Sequence, residues 1–79
     1  MKKEEVKILK YYDTEFGIVQ TLEFYKEHPS TQEKGEFFKC QQIEGLRHLH
    51  YLKPEQLTPG PEGYQPPRNG KQYAWKYTN

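Results

Sequence analysis

Alternating apolar and polar residues in the first third of the chain predict two β-strands. The first covers residues 4–12, where Val6 and Ile8 alternate with lysines. The second is longer and covers residues 16–25, followed by a polar loop. A helix over residues 22–28 is the alternative for its end, but the preceding β-branched residues and the following proline favour the strand. One apolar face is predicted for the second strand, formed by Phe16, Ile18, Leu22 and Phe24.

A second pair of predicted strands is joined by a tight turn. Residues 36–43 and 46–52 both alternate in polarity, and Glu44 with Gly45 between them is typical of a short hairpin connection. A single helical turn is predicted over residues 53–57, because a proline at its second residue suits the first position of a helix.

The remaining residues are rich in proline and glycine before they become aromatic. Residues 58–69 are predicted to be a flexible insert, because proline cannot donate a ladder hydrogen bond. Residues 71–79 then predict a last strand in which three aromatic residues share one parity: Tyr73, Trp75 and Tyr77. Residues 1–79 are therefore expected to form a single small, mainly β domain with about five antiparallel strands and one short helical turn.

This order of elements resembles SH3-like small β-barrels. The resemblance rests on GIV at residues 17–19, on the hairpin at Glu44 and Gly45, and on YLKPEQLTP at residues 51–59. In that family the last of these places a one-turn helix before the closing strand. The resemblance implies a small SH3-like barrel or sheet, from which the proline-rich insert departs. It does not imply binding of proline-rich peptides, because the acidic and aromatic groove signature of SH3 domains cannot be assigned.

Charge and cysteine content narrow the function classes. The chain of 79 residues has 12 Lys and Arg against 11 Asp and Glu, and like charges do not form long runs. A basic stripe typical of nucleic-acid binders is therefore missing. Cys40 is the single cysteine, so no disulfide can form within the chain, and we expect a cytoplasmic protein. No apolar run is long enough to predict a signal peptide or a membrane span.

Two histidines are the strongest candidates for chemistry in the sequence. His48 and His50 are two residues apart in a predicted strand and would share one face. A metal site needs three or four ligands, and Cys40 is not at a diagnostic spacing from either histidine. A Cys–His nucleophile pair would also need a pocket and oxyanion donors. We therefore expect no catalytic residue, no metal ligand and no cofactor, and predict that the protein is not an enzyme.

Aromatic residues are the more informative signal. The chain has seven tyrosines, four phenylalanines and one tryptophan, more than the core of so small a domain can hold. Exposed tyrosines are favoured as interface anchors. The sequence thus predicts a non-catalytic protein-binding module, either monomer or homodimer, with these partner-binding residues: Tyr11, Tyr12, Tyr25, Tyr51 and Tyr64.

The chain as a whole also resembles the small early proteins with which lytic bacteriophages take over a host. The resemblance rests on size, on the Lys- and Glu-rich opening over residues 1–10, and on the tyrosine-rich body. It implies an inhibitor that binds and blocks a host protein, with host cell division as the favoured target process. The alternative is a small-barrel nucleic-acid-binding protein that uses aromatic stacking and scattered lysines and arginines.

Overall fold

The protein is described by a computed structural model over residues 1–66. Within that range, five antiparallel strands form one sheet in the order β4–β3–β2–β1–β5. The strands, numbered in chain order, are β1 (Tyr11–Thr14), β2 (Gly17–Glu27), β3 (Lys34–Gln42), β4 (Leu49–Leu52) and β5 (Thr58–Pro59). Single 3-10 helical turns lie at Lys3–Glu5 and Pro54–Gln56.

The mainly β prediction is confirmed, and so is the helical turn before the last observed strand. β4 and β5 stand at opposite edges, so the strands of residues 1–66 form an open sheet and not a closed barrel. The predicted strand at residues 71–79 lies outside the described residues. The fifth strand of the sheet is β5 instead, which occupies the start of the predicted insert at residues 58–69 and pairs with β1. No helix in residues 1–66 is long and apolar enough to cross a membrane.

The first predicted strand, residues 4–12, is wrong over most of its length. Lys3–Glu5 form a helical turn, and the sheet begins only at Tyr11. Leu9 has a φ of 63°, in the left-handed region, so the backbone bends where a pleated strand needs an extended conformation. The bend brings Val6 into the core from outside the sheet.

The predicted hairpin is confirmed, since β3 and β4 pair antiparallel, but its tight turn at Glu44 and Gly45 is wrong. β3 ends at residue 42 and β4 starts at residue 49, so the connection is longer than two residues. Gly45 and Arg47 have φ values of 72° and 57°, and two left-handed residues so close together cannot continue a strand. The predicted strand at residues 46–52 is therefore shortened to the four residues of β4.

An irregularity in β2 decides which side chains face the core. Thr21 pairs with Cys40, but Glu23 pairs with Lys39, so Leu22 is an extra residue on β2. After this bulge the alternation is reversed, and Phe24 packs beside Phe38 with ring centroids 5.0 Å apart. The predicted single apolar face of residues 16–25 is therefore wrong, because the bulge divides that face between the two sides of the sheet.

The core lies on one side of the sheet, under residues 1–10 and the second helical turn. Its buried members are Val6, Tyr12, Val19, Phe38, Cys40, Leu52 and Leu57, with Met1 and Phe24 packed against them. Hydrogen bonds hold the N-terminal segment in place. The buried Thr21 hydroxyl donates to Lys7 O, and the Tyr12 hydroxyl accepts the Lys7 N–H at 2.8 Å. The backbone of Thr21 also bonds to Leu9 and Lys10, at 2.7 and 3.0 Å.

Thr21→Val tests how much the buried hydroxyl contributes. The shape is nearly kept, but the Lys7 carbonyl loses its donor, so we expect the free energy of unfolding to fall by about 1–3 kcal/mol. Urea denaturation measures this change. Thr58→Val is the control, because its hydroxyl bonds to Asp13 O at an exposed position where water can replace it. Equal losses in both variants would contradict the role assigned to Thr21.

The Cys40 thiol predicts a pH dependence of stability. Burial raises the pKa of this thiol to about 12, from an ordinary value of 9.0. Above pH 9 the unfolded chain loses the thiol proton while the folded chain keeps it, so unfolding becomes easier as the pH rises. Relative to Cys40→Ala, stability should fall by up to about 1.4 kcal/mol per pH unit in this window. Denaturation midpoints at increasing pH measure it, and parallel profiles of the two proteins would refute it.

Candidate binding face

The side of the sheet away from the core carries four of the five tyrosines in residues 1–66. Paired residues on neighbouring strands point to the same side, so the register fixes its members in three rows. The rows are Tyr11, Gln20, Gln41 and Leu49; then Glu23, Lys39 and Tyr51; then Tyr25 and Phe37. These residues, together with His28 and Tyr64, which pack on them, are called the outer face. It combines aromatic rings with amide and charged groups.

An aromatic cluster occupies one end of the outer face. Tyr25 and Tyr51 meet edge to face, with ring centroids 6.0 Å apart, and His28 lies 5.3 Å from Tyr51 and 5.2 Å from Phe37. Edge-to-face contacts are the geometry that aromatic quadrupoles favour. Phe37 is buried beneath this cluster, whereas the two tyrosines are half-buried. The cluster therefore presents two tyrosine edges on a fixed base.

The loop after β2 holds His28 in this position. Its Nδ1 accepts the backbone N–H groups of Ser30 and Thr31 at 3.1 and 3.3 Å. Its own backbone N–H donates to Glu33 O at 2.8 Å, and its carbonyl accepts the Gln32 N–H at 2.8 Å. The loop therefore holds both the backbone of His28 and, through Nδ1, its ring.

Two ion pairs lie beside the cluster, and in each pair a lysine charge is balanced by a glutamate. Lys39 Nζ lies 3.9 Å from Glu23, and Lys53 Nζ lies 3.0 Å from Glu33. Lys53 also sits over the Phe37 ring, 5.6 Å from its centroid. Such surface pairs contribute only about 0–1 kcal/mol each to stability. Their main consequence is a rim with little net charge.

A second tyrosine pair occupies the opposite end of the outer face. Tyr11 and Tyr64 meet edge to face at 5.2 Å, and the Tyr64 hydroxyl donates to Glu44 at 3.4 Å. Partial burial and the nearby Glu44 carboxylate raise the pKa of Tyr64. The row of Tyr11 and the row of Tyr25 are four residues apart along β3, or about 13 Å. Tyr51 belongs to the middle row, whose Glu23 and Lys39 lie between the row of Tyr11 and the row of Tyr25.

A cleft of about 430 Å³ adjoins this second pair. It lies between the N-terminal segment and residues 59–64, and Lys7 and Lys10 line it together with both tyrosines. Gly60 allows the chain to cross here, because a Cβ at this position would lie only 2.7 Å from Tyr11 O. The crossing places Tyr64 on the outer face.

Four of the five predicted partner-binding tyrosines lie on this face: Tyr11, Tyr25, Tyr51 and Tyr64. Tyr12 does not, because neighbouring residues of a strand point to opposite sides. It is 4% exposed and fills the core, where a partner cannot reach it. Sequence reasoning missed the parts that Phe37 and His28 play. The alternation at Phe37 and Phe38 was a usable signal for Phe37, since only one of the two could face the core.

The two histidines predicted to share a face are engaged differently. His50 stacks on Phe16 at 4.1 Å, and its Nε2 lies 2.8 Å from Gln42 Oε1. His48 is exposed, and its ring centroid is 6.5 Å from that of His50. Cys40 faces His50 across the ladder, but its thiol is buried and points to Phe38 O. In residues 1–66 no three His, Cys, Asp or Glu side chains converge on a metal-sized space.

Glu23→Gln tests the polar contact at the aromatic cluster. The Tyr25 hydroxyl donates to Glu23, and this hydrogen bond, followed by partial burial and the charge of Glu23, raises the pKa of Tyr25. Removing the charge should lower that pKa, which a carbon-13 NMR titration of labelled tyrosine rings measures. Glu33→Gln changes the partner of Lys53 but not of Tyr25, so it should leave the value alone. An unchanged pKa in Glu23→Gln would contradict the contact.

Comparison with known proteins does not assign the chain to a family. No protein-family model matches it, and no curated protein or solved structure matches it. The resemblances to SH3-like barrels and to phage early proteins therefore stay predictions. The function is inferred from the side chains of the outer face.

Proposed function

We propose that the protein is a non-catalytic protein-binding module that binds its partner through the outer face. The observation that supports this most is the gathering of four half-buried tyrosines, from three strands and from residues 60–66, on the side of the sheet away from the core. Tyrosine offers a large contact area and a hydroxyl for hydrogen bonding, at a low cost in side-chain entropy.

Rigidity of the aromatic cluster supports the same proposal. Tyr25 meets Tyr51, Tyr51 meets His28, and His28 meets buried Phe37, while the backbone of the loop after β2 donates to the His28 ring. Side chains that are already ordered lose little freedom when a partner binds, and this saving raises affinity. The cluster is thus the expected centre of the interface, with the ion pairs at its rim.

Charge indicates the kind of partner surface. Lys39 and Lys53 are neutralised by Glu23 and Glu33, so the rim does not present a surplus of positive charge. Binding to a phosphate backbone depends on such a surplus and on the release of counterions. A protein partner with an apolar patch and hydrogen-bonding groups suits this face better than a nucleic acid.

The resemblance to phage early proteins supplies a finer form of the proposal. In that form the partner is a protein of a bacterial host, the complex forms in the host cytoplasm, and binding blocks the partner. Cell division is the favoured process.

The aromatic cluster is tested by Tyr25→Ala and Tyr51→Ala. Each substitution should weaken partner binding by about 2 kcal/mol, or roughly 30-fold, as expected for a central anchor. A tagged protein captures the partner from bacterial lysate, and calorimetry with the purified partner then measures affinity. Phe16→Ala is the matched control, because Phe16 is an exposed aromatic residue that stacks on His50 away from the outer face.

The growth rate of a bacterial host tests the proposal that the protein blocks a host protein, and the same variants are used. Expression of the protein should slow growth, and the two tyrosine substitutions should relieve the effect while Phe16→Ala does not. Normal growth at high expression would contradict inhibition. Wild-type affinity in both tyrosine variants would contradict the binding face itself, and tight binding of single-stranded DNA at low salt would favour the nucleic-acid alternative.

A further inference from the structure

A small cleft opens on the outer face beside the second tyrosine pair. Its volume is about 190 Å³, and the side chains around it include Tyr11, Gln20, Gln41, Arg47 and Pro66. Sites that hold a whole drug-sized molecule are larger than this. The space, which we call the Arg47 cleft, therefore suits a single side chain of a larger ligand.

Arg47 carries the only charge among the described residues that line this cleft. The sequence has 11 Asp and Glu side chains, all within residues 1–66, and none of them forms an ion pair with Arg47. Glu44, the carboxylate nearest to it in sequence, instead accepts the Tyr64 hydroxyl. Arg47 thus differs from Lys39 and Lys53 at the aromatic cluster, because its charge is not balanced by a carboxylate of the domain.

The backbone of Arg47 points to a role for its side chain. Its φ of 57° lies in the left-handed region, which glycine adopts freely and a residue with a Cβ disfavours. A glycine would therefore suit the bend before β4 better than an arginine does. Strained residues of this kind are found preferentially at binding sites.

Amide groups lie beside Arg47 and add hydrogen-bond donors to its charge. Gln20 and Gln41 pair across β2 and β3, so their side chains point to the same face. Gln20 uses one of its two Nε2 hydrogens on Leu9 O, at 3.5 Å, and the Gln41 carboxamide makes no hydrogen bond within residues 1–66. A guanidinium adds a fork of N–H groups that matches a carboxylate. The cleft therefore holds the donor set that a carboxylate needs.

We propose that the Arg47 cleft binds an acidic side chain of the protein partner, with its carboxylate paired to the Arg47 guanidinium. A side chain fits better than a chain terminus, because Tyr11 and Leu49 lie at the two ends of the row that crosses the cleft, and the partner backbone can continue past both. A phosphate backbone is met by a stripe of cations, whereas one arginine serves here.

This inference rests on the proposed function for the partner being a protein. It adds a charged contact to an interface otherwise formed by tyrosines, and arginine is among the residues most enriched at the energetic centres of such interfaces.

A blocked tripeptide, Leu-Glu-Leu, tests the cleft without the partner, and the matched Leu-Gln-Leu peptide is its control. NMR titration of the isotope-labelled full chain follows the side-chain N–H signals of Arg47 and Gln41. The glutamate peptide should shift both signals to saturation. The glutamine peptide should bind about ten-fold more weakly, because it lacks the hydrogen bonds to a charged group.

Variants of Arg47 separate binding from folding. Arg47→Gly removes the guanidinium but suits the left-handed backbone, so urea denaturation should show no loss of stability while the glutamate peptide loses its advantage. Arg47→Lys keeps the charge without the fork, so affinity should fall several-fold. Lys26→Gln is the matched control, since it removes an exposed positive charge outside the cleft and should leave binding unchanged.

Equal affinity for the two peptides, or no saturable shift with either, would overturn the proposal on the wild-type protein alone. Unchanged binding in Arg47→Gly would also overturn it. Inorganic phosphate is titrated in parallel, and tighter binding of phosphate than of the glutamate peptide would assign the cleft to a phosphate ligand instead. The tyrosine variants test the proposed function and the peptides test the cleft, so the failure of one is distinguishable from the failure of the other.

Discussion

The extra residue at Leu22 is the constraint on which the two sides of the sheet depend. Because β2 gains one residue there relative to β3, every side chain after it changes sides. Phe24 is thereby placed on Phe38 in the core, and Tyr25 is placed on the outer face beside Tyr51. Without the bulge, Phe24 would lie on the outer face and Tyr25 would point toward the core.

The core that results is small. Buried polar groups inside it form hydrogen bonds to residues 1–10, the segment that covers the core. Burying a hydroxyl costs free energy unless it is hydrogen-bonded. Tyr12 and Thr21 meet this requirement with the backbone of Lys7, which belongs to the irregular segment over the core. The bend at Leu9 brings the Lys7 backbone to the buried hydroxyls, and these hydroxyls in turn supply its hydrogen bonds. Residues 1–10 therefore form the second layer of the domain.

Much of this architecture follows from patterns that a sequence shows. Alternation locates β2 and β3, and the proline at position 54 marks the helical turn. The bulge at Leu22 leaves no local signal, because a register shift depends on the partner strand. The left-handed residues Leu9 and Arg47 are equally hidden, since neither is a residue type that favours that conformation. Strand alternation required one of Tyr11 and Tyr12 to face outward. Which of the two does so depends on the side of the sheet that residues 1–10 cover.

The extent of the outer face depends on Gly60, because the absence of a side chain there lets the chain cross Tyr11 and place Tyr64 on that face. Any Cβ there would collide with the Tyr11 backbone and push residues 60–66 away from the sheet. Tyr64 would then leave Tyr11, and the surface would shrink to the cluster around Tyr25 and Tyr51. Under the proposed binding role, a partner that spans both ends of the face would lose its contacts with Tyr64, whereas a partner that uses the cluster alone would be unaffected. If the proposed binding role holds, a side chain at this one position would therefore narrow the range of partners by changing the backbone course and not any residue in contact with them.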